Sequence, residues 1–283
     1  MRAIPLFIAA LMMLSSCAQT ESKLTEIGTI GPDEVSGLEY LQSAGIWAVQ
    51  DSGNESKLYK IDTNGRVVEE VAVDITNTDW EDLASDAEGN LYIGDFGNND
   101  NDRKDLVIYK LAPGFKSQAS AISFYYPEQD KFPPKKSQFK YDCEAFFEHN
   151  GNFYLFTKNR SARFDGSLFI YKVPNKAGRH AAQLLGTIST CDAYRKCAVT
   201  SADISPDGTK AVLLTSDKIF VLTNFGEDSF AEAQMQMLEL GHSTQKESIC
   251  FKDNDLLFIA DEKDKGEGGK LYQVKLSDLQ PKL

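Results

Sequence analysis

Five segments of this chain align under one another with acidic residues at matching positions, and that repeat limits the folds open to it. They are Glu34-Val-Ser-Gly-Leu38, Asp79-Trp-Glu-Asp-Leu83, Asp142-Cys-Glu-Ala-Phe146, Thr200-Ser-Ala-Asp-Ile204 and Gln245-Lys-Glu-Ser-Ile249. Each leads through a polar turn to an apolar run, at 45–49, 90–93, 152–156, 210–214 and 255–259. A third run closes each unit, at 57–61, 106–111, 167–173, 218–222 and 270–276. Short strand-built units of this length cannot bury their apolar faces alone, so they form a closed or stacked array.

Asn64-Gly65 after the first unit's third strand is a strong hairpin signal and turns the chain back as a further strand. Segments 67–73, 121–126, 183–188 and 233–240 read the same way before each following unit. Four strands per unit is the blade of a β-propeller, an all-β fold. The last unit lacks its fourth strand, and 24–30 precedes the first without a unit of its own. Closure then places this N-terminal strand on the outer edge of the last blade, protecting the edges. Five four-stranded blades over 24–283, as one domain, is the expectation. Six blades is the alternative, because 110–141 is long enough to hide a degenerate one. The net charge of −12 excludes a nucleic-acid partner, which needs clustered Lys and Arg.

The start of a blade's first strand and the end of its second share one rim. Side chains two apart on a strand share a face. One mouth of the channel should therefore gather Glu34, Asp79, Glu81, Asp142, Glu144 and Glu247, with Asp51, Asp95 and Asp261 nearby. So many carboxylates repel and require compensation, from Lys158, Arg160 and Arg103 or from a bound cation. Oxygen ligands in irregular loops favour calcium over magnesium. His149, His180 and His242 are not spaced with other ligands, which disfavours zinc. The expected metal ligands are Glu34, Asp79, Glu81, Asp95, Glu144 and Glu247, and Asp95-Phe-Gly-Asn-Asn-Asp-Asn-Asp-Arg103 offers more oxygens.

The N-terminus resembles a bacterial lipoprotein signal: Arg2, an apolar stretch from Ile4 to Leu14 too short to span a bilayer, then Leu14-Ser-Ser-Cys17. The resemblance implies removal of 1–16, lipid on Cys17, a polar tether over 17–23, and membrane attachment through the acyl chains alone. Ala18-Gln19 lacks the Asp that retains such proteins at the inner membrane, so the outer membrane of the cell envelope is expected, facing periplasm or surface. That address permits disulfides. Cys191 and Cys197 bracket a five-residue loop and should pair; Cys143 and Cys250 lie in first strands of different units and read as small buried residues.

Residues 34–38, 79–84, 90–99 with Arg103, and 106–110 resemble a group of bacterial secreted propellers described as SdiA-regulated, phytase-like or esterase-like. The resemblance implies a propeller, often with calcium at the channel mouth. The histidine-assisted phosphate sites of phytases have no counterpart here. Two functions stay open: a monomeric calcium-binding module taking a small-molecule or protein ligand at its mouth, and a calcium-dependent hydrolase of a phosphoester, lactone or ester. In the second, Glu81 or Glu144 would act as base and Lys158, Arg160 or Arg103 would neutralise developing charge. No Gly-x-Ser-x-Gly nucleophile motif is present.

Overall fold

Strand β1 (Thr25–Thr29) pairs antiparallel with the last strand of the chain, β21 (Lys270–Lys275), and that pairing closes a ring. The computed structural model describes residues 22–263 and 266–280; the expected signal sequence and Cys17 lie outside the described residues. Blade 1 is β2 (Val35–Leu41), β3 (Gly45–Gln50), β4 (Lys57–Ile61) and β5 (Val67–Ala72). Blade 2 is β6 (Trp80–Ser85), β7 (Leu91–Asp95), β8 (Val107–Leu111) and β9 (Ser120–Tyr125). In blade 3, β10 (Asp142–His149), β11 (Asn152–Lys158) and β12 (Ser167–Pro174) are followed by β13 (Gly178–Ala181) and then β14 (Gln183–Ser189). Blade 4 is β15 (Ser201–Ile204), β16 (Lys210–Leu214), β17 (Lys218–Thr223) and β18 (Gln234–Glu239). Blade 5 combines β19 (Lys246–Phe251), β20 (Leu256–Asp261), β21 and β1.

The ring therefore has five blades, with the N-terminal strand at the outer edge of the fifth. The long 110–141 stretch hides no sixth blade; it supplies β9 and a short 3₁₀ turn, Lys136–Gln138. One element departs from the simple repeat. Strand β13 leaves blade 3 and pairs parallel with β9, widening blade 2 to five strands and strapping the two blades together.

Alternating side chains bury each sheet on both faces, so the core is five separate clusters, one between each pair of neighbouring blades. Trp47 and Leu58 of blade 1 meet Trp80, Leu83 and Ile93 of blade 2. Tyr92 and Phe96 of blade 2 meet Phe146, Phe153 and Tyr171 of blade 3. Cys143 and Cys250 are free and fully buried in two different clusters. Cys191 and Cys197 form a disulfide.

At the axis the five first strands approach one another without a shared ladder, so their inner backbone groups must be met by side chains. Ser36 donates to the Trp80 carbonyl at 2.7 Å, and Thr200 to the Lys246 carbonyl at 2.7 Å. Asp203 accepts the Phe251 amide at 2.6 Å, and the Ser201 hydroxyl accepts that of Ile249 at 3.1 Å. Asp82, fully buried, serves three blades: it accepts its neighbour Leu83's amide (3.0 Å), those of Phe146 (3.4 Å) and Ala202 (3.3 Å), and the Ser201 hydroxyl (3.2 Å). Gly37 makes room for it, since a Cβ there would lie 2.9 Å from the Asp82 backbone.

Replacing Asp82 with Ala strands buried amides of blades 2, 3 and 4. A loss of about 3 kcal/mol is expected, or a melting temperature lower by roughly 6–12 °C. Calorimetry of Asp82→Ala against the parent checks this; an unchanged transition would remove Asp82 from the hub.

Candidate metal centre at the channel mouth

Four of the five first strands slip register at the same repeat position. Pairing jumps from Val35↔Gln50 to Gly37↔Val49, from Trp80↔Asp95 to Asp82↔Gly94, from Cys143↔Thr157 to Ala145↔Phe156, and from Lys246↔Asp261 to Ser248↔Ala260. The extra residues are Ser36, Glu81, Glu144 and Glu247. A β-bulge frees one residue from the ladder and re-aims its side chain. Blade 4 has no slip here, and its matching residue is Ala202, paired with Leu213. The bulges, more than simple strand alternation, organise the acidic mouth.

Two groups of three carboxylates result: Asp51, Asp79 and Glu81, and Glu81, Asp142 and Glu144. Within each group one oxygen per residue lies within 4.8 Å of the others. Glu81 belongs to both. Gly97 permits the approach, because a Cβ there would sit 2.1 Å from Glu81 Oε1 and 2.4 Å from Asp79 Oδ2.

The two groups differ in charge compensation. In the second, Lys158 Nζ lies 2.9 Å from Glu144, and Arg160 pairs with both Asp142 and Glu144. The Asn98 amide adds a 2.7 Å bond to Asp142. In the first, none of the three carboxylates has an ion-pair partner among the described residues. Glu81 is only 7% exposed and makes no hydrogen bond among them.

These surroundings push most of the acids upward. Burial, then Asp51, raises Asp79 to about 6; burial, then Glu144 and Asp142, raises Glu81 well above the ordinary carboxylate range. Burial and Glu144 raise Asp142 to about 8 against the pull of Arg160. Burial raises Glu247 to about 7, tempered by Lys158. Glu144 moves the other way: burial works against ionisation, but Lys158 and Arg160 outweigh it.

Other residues expected at the mouth have different surroundings. Glu34 is exposed and accepts the Asn54 side-chain amide at 2.7 Å. Asp95 is buried, held by Arg103 at 2.9 Å and by the Thr78 and Asp79 amides. Arg103 is fixed in turn by Asp105 and the Gly97 carbonyl. Asp261 accepts from Thr244, Tyr272 and the Lys270 amide, fully buried. Glu247 lies in the electrostatic reach of Lys158 and Glu144 but outside both groups. Asn98 and Asn101 are buried clamps: Asn98 donates to the Tyr141 carbonyl, and Asn101 accepts the Tyr141 amide.

Two oxygens each about 2.4 Å from one calcium ion can be at most about 4.8 Å apart, so either group is compact enough. In the first, all three carboxylates lack an ion pair among the described residues, whereas in the second only Glu81 does. No histidine belongs to either group.

No protein-family profile matches the chain, and no curated protein matches it in sequence. Among solved structures, a gluconolactonase from Xanthomonas campestris is 10% identical over 93% of each chain, with a TM-score of 0.45. The PQQ-bound aldose sugar dehydrogenase from Streptomyces coelicolor is 10% identical, covering 90% of this chain and 98% of its own, TM-score 0.48. A protein of unknown function from Bacteroides caccae is 13% identical, covering 87% and 79%, TM-score 0.49. None of these likenesses carries chemistry to this chain.

Acids raised in the folded state are still protonated there when the unfolded chain has ionised. The stability they contribute is full below about pH 4 and is lost as pH rises through about 6 for Asp79, 7 for Glu247 and 8 for Asp142. In chelator, the melting temperature is expected to fall by at least ~5 °C between pH 5 and pH 8.5. Scanning fluorimetry at constant ionic strength measures it, and a rise across that window would contradict the crowding described.

Proposed function

We propose that the channel mouth holds one divalent cation between Asp51, Asp79 and Glu81, and that the protein is a ligand-binding propeller. The observation that carries this is Glu81: a buried carboxylate without a hydrogen bond or cationic partner among the described residues, beside two more uncompensated carboxylates. Such a group is costly in its ionised form unless a charge meets it, and without one it holds its proton. All-oxygen donors on an irregular loop and a bulge suit calcium, which tolerates flexible geometry. Asp51 is the most open of the three, so the ion would keep positions free for oxygen atoms of a small molecule or protein arriving from solvent. Lys158, Arg160, Asp142 and Glu144 form a neutralised wall beside it. Arg103 positions the Gly97 loop. The lipoprotein-like start supports a place in the cell envelope, anchored through Cys17.

A calcium-dependent hydrolase is the second reading, favoured by Lys158 and Arg160, which put positive charge beside the same carboxylates. The ion would then polarise a phosphoester, lactone or ester, with Glu144 or Glu81 as base. Assays of those three substrate classes with calcium saturating separate the readings: turnover that disappears in Glu81→Gln supports the hydrolase, and its absence in the parent removes it.

Calcium at a hundredfold over its dissociation constant should stabilise by about 2.7 kcal/mol, a shift of roughly 5–10 °C. Glu81→Gln should lose most of that shift. In chelator its advantage over the parent should grow as pH rises, because Gln has no buried carboxylate to ionise. No calcium shift in the parent would overturn the site.

A further inference from the structure

A cavity of about 310 Å³ lies at the outer strands of blade 2, built by Leu106, Phe124 and Tyr125 with the connection that leads into blade 3. Its walls are aromatic and apolar: Phe124 is buried, Phe132 and Pro127 come from that connection, and Tyr125 is 40% exposed. Two cations stand at its edge. Lys104 Nζ is 4.8 Å from the centroid of Phe132, and the Arg179 guanidinium is 5.1 Å from that of Tyr125. Among the described residues neither has an acidic partner. Arg103, which also lines the cavity, is already taken by Asp95 and Asp105.

This local chemistry is the reverse of the whole. On a chain of net charge −12, two cations without an ion pair among the described residues rest on ring faces at one aromatic cavity. Cations held over aromatic rings gain from the ring quadrupole and lose little of their capacity to bind an anion. Arg179 is brought to this edge by β13, the strand that departs from the repeat to pair with β9. The strap therefore delivers a charge that blade 2's own strands do not supply. The volume sits at the lower end of small-molecule sites, enough for one or two fused rings.

We propose that this cavity binds a small organic anion with a planar apolar body, the rings against Phe124 and Phe132 and the anionic group between Lys104 and Arg179. The site is separate from the carboxylates at the channel mouth and does not rest on the cation reading.

Isothermal titration of the full mature chain with 2-naphthoate and with its neutral isostere 2-naphthamide, in chelator, tests this. Naphthoate should bind saturably, at least tenfold more tightly than naphthamide, and should weaken as salt rises. The exposed double substitution Lys104→Glu with Arg179→Glu should cut naphthoate affinity at least tenfold while leaving naphthamide and the melting temperature unchanged. Phe132→Ala should weaken both compounds. The proposal fails if naphthoate does not bind the parent, if the amide binds equally well, or if the charge-reversed protein, still folded, binds naphthoate as the parent does. The acid-to-amide comparison is made on the parent protein, so it stands even if a variant misfolds.

Discussion

Five innermost strands meet at one axis, and no pair of them can satisfy the other's backbone in a continuous ladder. This constraint governs the centre of the molecule. Side chains take the place of the missing ladder, and Asp82 does so for blades 2, 3 and 4 at once. A carboxylate suits the task because two oxygens can accept several donors where a hydroxyl or amide would run out of lone pairs. Burial raises its pKa well above the ordinary range, and the bonds from Leu83, Ala202 and Phe146 oppose that shift. Beside it, Glu39 is also buried and raised, by burial and then Asp203, with Ser85 as its hydroxyl donor. Acidic residues thus occupy two levels of the hub, and they do different things. The inner level binds protein amides, whereas the level at the mouth gathers charge in a place that solvent can reach.

The separation between those levels comes from the bulges. Glu81 and Asp82 are adjacent in sequence, yet one lies at the mouth beside Asp79 and the other receives backbone donors from three blades. An unbroken strand would send them to opposite faces of a single sheet; the extra residue lets one turn to the opening and returns the other to the ladder. Electrostatics then divides the mouth. Lys158 and Arg160 lie on the blade 3 side and settle Asp142 and Glu144. On the side of blades 1 and 2, Asp51, Asp79 and Glu81 have no ion-pair partner among the described residues.

Much of the ring was legible in the sequence: the four repeat strands of each blade and the closure by residues 24–30 from the repeat, and the pairing of Cys191 with Cys197 from the short loop between them. What escaped depends on tertiary neighbours. Gly178–Ala181 has no alternation that marks a strand, and its partner β9 belongs to another blade. Asp51, Asp95 and Asp261 all stand at second-strand ends in the alignment, but Arg103 claims Asp95 and Tyr272 and Thr244 claim Asp261. Lys246 occupies a position that is apolar in Val35, Trp80 and Cys143. It is buried with its ammonium shared among Ser216, His242 and Thr244, contacts that follow from blade 4 lying alongside. Gly97 carried a visible signal within Asp-Phe-Gly-Asn-Asn, though its reason, the nearness of Glu81 and Asp79, appears only in three dimensions.

The direction of β1 has a bearing on how the molecule is held. Thr29 pairs with Lys270, whose amide binds Asp261 at the acidic end of blade 5, while Thr25 pairs with Gln273 further from it. Lys23, just before β1, donates its amide to the Leu240 carbonyl at 2.9 Å, so this segment joins blade 4 as well as closing blade 5. Peeling β1 away would open the ring and release that join in one step.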